Sequence, residues 1–101
     1  MPYSKHGWER MIRNIANESG RISFSKHALS QMRSRKITLS MAFDVLRKGK
    51  ILLEPEPDIK TGHMVCRMER FTAGSPIAVV VACENENALD CIVVTAFIIG
   101  G

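Results

Sequence analysis

"MVCRMERFTAGSPIAVVVACE", residues 64–84, decides the fold. Met64, Cys66 and Met68 alternate with Val65, Arg67 and Glu69, the two-residue period of a strand with unlike faces. The next apolar run, Ile77 to Cys83, is unbroken, as in a strand covered on both sides. "TAGSP" between them supplies turn residues, so the two runs pair as an antiparallel hairpin. "NENA", residues 85–88, is a second turn, and "LDCIVVTAFII", residues 89–99, is the strand it leads into. That strand is also continuously apolar and reads as central. Strict alternation puts Cys91, Val93, Thr95 and Phe97 on one of its faces, with Thr95 the single hydroxyl among apolar neighbours.

Upstream, "KILLE" (50–54) reads as a fourth, short strand. The connection "PEPDIKTG" (55–62) holds two prolines, which oppose a regular ladder. Before that the pattern is helical. Trp8, Met11, Ile12 and Ile15 fall at i, i+3, i+4 and i+7, predicting a helix over residues 7–17 that Gly20 closes off. "RISF" (21–24) is a short strand candidate. Ser25 is placed to cap a helix over 25–36, whose apolar face is Ala28, Leu29 and Met32. Thr38 caps a further helix over 39–48, with Met41, Ala42, Val45 and Leu46 inward. Arg47 and Lys48 suit its C-terminal dipole, and Gly49 fits a left-handed stop. The expected architecture is α+β: N-terminal helices on one face of a three- to four-stranded antiparallel meander, in a single domain over 1–101.

Composition narrows the class. The chain has 101 residues, of which 46% are hydrophobic and 24% charged, which excludes wholesale disorder. No apolar run approaches the ~20 residues of a membrane helix, and "MPYSKHGWER" lacks the apolar core of a signal peptide. A cytoplasmic location is expected. Cys66, Cys83 and Cys91 sit in strand-like segments without a C-x-x-C pair, and buried free thiols are expected rather than bridges. Zinc-binding spacings are absent, and no cofactor or metal is called for. Charge is divided unevenly: residues 1–50 carry eleven Lys and Arg against three acids, and residues 51–101 carry three against seven. A basic first half can meet phosphates, or it can be the wet side of surface helices; charge alone weighs the two equally.

The residues able to do chemistry lie in three places. His27, Gln31 and Arg35 recur every fourth residue and form a slowly turning line beside the apolar helix face. Arg67 and Glu69 share the strand face that the helices do not seal. They can hold a phosphate and move a proton, or form a surface ion pair worth under ~1 kcal/mol. Thr95 stands alone in the last strand, where local bonding is the blander role.

The segments "FSKHALSQMRSRKITLSMAFDVLRKGKI", "MVCRMER", "IAVVVACE" and "CIVVTAF" together resemble a small bacterial domain family of unknown function. Its pattern runs Ser/Thr-x-His-Ala, an Arg-Met pair, Arg-Gly-Ile, a helix ending in Gly, and a closing strand with Thr-Ala-aromatic. That family is grouped with the RelE, ParE and BrnT toxins, in the fold group of barnase and the colicin nucleases. The resemblance covers residues 22–98 and implies a RelE-like fold. On it, His27, Arg35, Arg67 and Thr95 match the family's His, Arg, strand Arg and terminal Thr. Two positions depart from the pattern: Gln31 stands where Arg is common, and Lys36 replaces the Gly.

The resemblance implies the toxin of a toxin–antitoxin pair, acting as a metal-independent endoribonuclease. An RNA 2′-OH would attack the adjacent phosphate, which needs a base, an acid and cations on the phosphoryl oxygens. Glu69 is the candidate base and His27 the candidate acid or base. Arg35 and Arg67 are the phosphate clamps, with Gln31 and Lys36 beside them and Thr95 in support. The expected partners are RNA, free or on the ribosome, and an antitoxin protein. The alternative is a non-catalytic RNA- or ribosome-binding domain, or a protein-interaction domain, of the same fold.

Overall fold

The computed structural model describes residues 4–100. Residues 1–3 and Gly101, which the expected domain includes, lie outside the described residues.

Helix α1 (Lys5–Ala16) starts where the Ser4 hydroxyl accepts the Gly7 N–H at 3.2 Å, and it buries Trp8, Ile12, Ile15 and Ala16. A single 3₁₀ turn, Ser19–Arg21, leads into strand β1 (Ile22–Phe24). Ser25 then caps α2 (Lys26–Ser34), its hydroxyl accepting the Ala28 N–H at 3.0 Å. Ala28 and Met32 enter the core, whereas Leu29 is 39% exposed and not part of the apolar face it was expected to join. Lys36 closes α2 in the left-handed region at φ 59°, and the Ile37 N–H reaches back to the Met32 carbonyl at 2.8 Å. That is the Schellman arrangement, completed by packing of two buried side chains, Ile37 and Met32.

Helix α3 (Leu39–Lys48) is capped by Thr38 and buries Ala42, Val45 and Leu46. Gly49 is not a left-handed stop: its φ is −75°. Glycine is required there for another reason. A Cβ would collide with the Val45 carbonyl oxygen and sit 2.8 Å from that of Glu69, because the chain turns tightly onto the sheet.

The strands that follow are β2 (Lys50–Ile51), β3 (Glu56–Pro57), β4 (Met64–Thr72), β5 (Ser75–Cys83) and β6 (Cys91–Ile98). The β4–β5 hairpin turns on Ala73 and Gly74, both at positive φ (51° and 82°), as tight two-residue hairpin turns demand. The sheet has six strands in the order β1-β6-β5-β4-β2, with β3 also pairing to β4. The α+β class holds, but the expected all-antiparallel meander of three or four strands does not. Strand β1 runs parallel to β6, with Ile22 opposite Cys91. Its three residues give too little periodicity to reveal a partner at the far end of the chain. Strand β3 forms despite Pro57, because it lies at an edge, where a missing N–H costs no inward bond.

Helices α1 and α3 cover one face of the sheet. Cys66, Met68, Ile77, Val79, Val81, Cys83, Cys91, Val93 and Ala96 point into that core. Strands β5 and β6 are internal, as their apolar runs suggested, yet helices cover only one side of them. The expectation of three free thiols is also overturned: Cys83 and Cys91 face one another across β5 and β6 and form a disulfide, with Cα atoms 4.9 Å apart. The single connection between β5 and β6, residues 84–90, brings them opposite each other, a pairing that cysteine spacing alone does not disclose. Cys66 remains free and buried.

Candidate functional site

The second, uncovered face of the sheet carries the polar groups. Arg67 and Glu69 project onto it from β4, since their neighbours Cys66 and Met68 are fully buried on the other side. Arg67 stands opposite Val80 of β5, and Val80 stands opposite Thr95 of β6. The three lie in one cross-strand row, which sets the Arg67 and Thr95 backbones roughly 10 Å apart. In the adjacent row Glu69, Ala78 and Phe97 align.

Thr95 is on this face because strict alternation fails in β6. Val81 pairs with Val93 while Val80 pairs with Thr95, so Val94 is an extra, bulged residue. Before the bulge, Cys91 and Val93 face the core; after it, Ala96 does, and Thr95 and Phe97 turn to the open side. The expected apolar row Cys91-Val93-Thr95-Phe97 is therefore split in two. No residue type in "IVVTA" announces the bulge.

Helix α2 follows β1 and packs along β6, where the three-residue β1 leaves the rest of that strand without a neighbour on this side. Its inner side, Ala28 and Met32, joins the core. Its outer rim reaches the open face: the Thr95 hydroxyl donates to the Gln31 side-chain carbonyl. One turn later Arg35 Nη1 donates to the Ala96 carbonyl at 2.7 Å. Gln31 thus reaches the face that carries Arg67, while Arg35 is tied to the β6 backbone at the rim of the sheet. A guanidinium has five N–H donors, so Arg35 keeps donors beyond this bond. The His27 side chain is exposed, with no hydrogen bond or ion pair to any described residue. Lys36 is exposed as well, at the far end of the helix.

The Arg67 guanidinium lies over the Phe97 ring, 4.9 Å from its centroid, and its Nε is 3.2 Å from a Glu69 carboxylate oxygen. The side chains are 30% and 15% exposed. The Nε is buried and the carboxylate lies off the N–H axis, so this is an ion pair without an in-line hydrogen bond. Stacking and ion pairing fix the guanidinium plane and leave its terminal nitrogens to carry any further contact. Toward β3, Arg67 borders a hollow of about 490 Å³ lined also by Leu53, Glu54, Glu56, Pro57 and Val65. Two carboxylates make that hollow a poor seat for an anion. Phe97 is the site residue that pattern reading missed, since the bulge alone gives it this role.

Among the described residues, no group of three or more His, Cys, Asp or Glu side chains is placed to hold a metal. Nor is any helix long and apolar enough to cross a membrane. Burial pushes the Cys66 thiol up to about 12, which suits a core residue rather than a nucleophile.

The fold and this face define an α+β protein with a polar, cation-bearing open sheet. The chain belongs to the family described as a domain of unknown function, DUF4258, whose model matches residues 24–98. That span starts at the end of β1 and includes every residue of the open face, while α1 precedes it. No curated protein matches the chain, and no solved structure does.

Proposed function

We propose that the open sheet face binds RNA and cleaves it by attack of a 2′-OH on the adjacent phosphate, as a toxin-type endoribonuclease. The observation that carries this reading is the row Arg67-Val80-Thr95, continued by Thr95 to Gln31, which joins strand and helix on one face. The choice of RNA as substrate comes from the expected grouping of this family with the RelE, ParE and BrnT toxins.

In this reading the stacked Arg67 and the strand-anchored Arg35 hold the phosphoryl oxygens, where negative charge grows in the transition state. Glu69 takes the 2′-OH proton as the base. His27, two turns before Arg35 on α2, gives a proton to the leaving 5′-oxygen. Thr95 and Gln31 hold α2 against the sheet, and Lys36 adds positive charge at the rim. An antitoxin partner would act by covering this face.

A non-catalytic RNA-binding role for the same face is favoured by one observation: the His27 ring is exposed and no described residue bonds it, so it is not held in place as a proton donor. The test is incubation of the purified chain with single-stranded RNA and analysis of the product ends. Cleavage leaving 2′,3′-cyclic phosphates, lowered roughly 100-fold or more in Glu69→Gln, supports the enzyme. Binding without cleavage leaves the binding role alone.

A further inference from the structure

The helical layer carries a second basic site. Helices α1 and α3 are joined by a reciprocal pair of arginines. Arg13 of α1 donates from Nε and Nη2 to the carbonyl of Gly49, the C-cap of α3, at 3.1 and 2.6 Å. Arg47 of α3 donates from Nε to the carbonyl of Ala16, the last residue of α1, at 2.8 Å. Each guanidinium meets the negative end of the other helix. Between them lies a hollow of about 420 Å³, lined by His6, Glu9, Arg10, Arg13, Asn14, Asn17 and Arg47.

We infer that this hollow binds a phosphate group. Three arginines face one carboxylate. That carboxylate, Glu9, is already engaged: Oε1 accepts the Ile51 N–H at 2.8 Å, and Oε2 lies 3.6 Å from Arg13 Nη2. Positive charge is left over. Arg13 and Arg47 are held by their carbonyl bonds, and Arg47 also lies over the Phe43 ring at 4.8 Å. Ordering them for a ligand therefore costs little. Among the described residues, Arg13 Nη1 and both terminal nitrogens of Arg47 have no hydrogen-bond partner, and the exposed Arg10 has no ion-pair partner. Asn14 and Asn17 add amide donors at the wall. Fixed guanidinium forks with neutral donors are the chemistry that takes phosphate oxygens. The phosphate can be a phosphodiester of a bound nucleic acid or a small free phosphate, and the hollow is independent of the open sheet face. All but one of its lining residues precede the family span, so this site belongs to the α1 extension.

The test is titration of the full chain with inorganic pyrophosphate, followed by amide and arginine Nε–H NMR signals. Saturable shifts at Arg10, Asn14, Asn17 and the Nε–H of Arg13 and Arg47 are expected. Arg10→Glu should weaken the affinity roughly tenfold or more, and because Arg10 holds no structural contact the fold should persist. Shifts that do not saturate, or an affinity that Arg10→Glu leaves unchanged, overturn the inference. A short single-stranded RNA separates the sources. If Arg10→Glu weakens RNA and pyrophosphate together, the hollow contacts the backbone; if only pyrophosphate is affected, it serves a free phosphate. Loss of RNA binding in Arg67→Ala with pyrophosphate binding intact reports on the open face alone.

Discussion

The hydroxyl of Thr95 donates to the side-chain carbonyl of Gln31, joining the closing strand to helix α2 across 64 positions of chain. The bond exists because one bulged residue, Val94, turns Thr95 out of the core. It clamps the helix that carries Arg35 and His27 to the face that carries Arg67. Thr95→Val keeps the β-branched shape and removes the donor, leaving the half-buried Gln31 acceptor unmatched. The expected loss is about 1–2 kcal/mol, read as a lower urea midpoint at constant slope. An unchanged midpoint would mean that the helix is held by its apolar side and the Arg35 bond to the Ala96 carbonyl, without help from Thr95.

Lys36 stands in the left-handed region that a side chain adopts at a cost. The family resemblance puts glycine at this position, and the backbone explains why. Lys36→Gly is expected to raise stability by roughly 0.5–1 kcal/mol. The same exchange at an ordinary helical position would lower it. Thermal unfolding of the single variant decides the sign.

Asp44 links α3 to the sheet, with Arg70 Nε 2.9 Å from its Oδ2. A hydrogen bond from Thr72 and then the Arg70 guanidinium hold its carboxyl below the usual carboxylate value. The folded state therefore binds the proton less readily than the unfolded chain. The contribution is fully present above about pH 4 and is lost as pH falls through the depressed folded value. Asp44→Asn should be less stable than wild type at pH 6, and the gap should narrow steadily toward pH 3. A gap independent of pH would exclude the ion pair as its cause.

The Cys83–Cys91 bridge closes a loop of eight positions between β5 and β6. Reduction is expected to cost about 2–3 kcal/mol, from the freedom returned to the unfolded chain. Urea midpoints with and without reductant measure it. Cys66, buried and with its thiol pushed up to about 12, should stay unreactive toward thiol reagents until the protein unfolds.

Local signals in the sequence were clear wherever one short stretch decided the outcome. Ser25 and Thr38 cap the helices they were expected to cap, and Ala73-Gly74 makes the hairpin that joins β4 to β5. Arg67 and Glu69 lie on the uncovered face as their alternation with Cys66 and Met68 required. What stayed hidden depends on distant partners. Three residues of β1 could not disclose a parallel pairing with β6, and nothing in the apolar run of β6 marks the bulge that moves Thr95 and Phe97. The bridge between Cys83 and Cys91 follows from strand register, not from spacing. The carbonyl contacts of Arg13 and Arg47 stayed hidden, because a bond to a backbone carbonyl on another helix has no sequence pattern.

Whether the open face receives RNA phosphates is tested most directly at Arg67. RNA affinity should be measured across a range of salt concentrations for wild type and Arg67→Gln, with unfolding midpoints taken in parallel. If Arg67 contacts a phosphate, the variant binds roughly tenfold more weakly and the slope of log affinity against log salt falls by about 1. Equal affinity and equal slope in a folded Arg67→Gln protein would contradict the site, and Arg67 with Glu69 would then be a surface ion pair over Phe97.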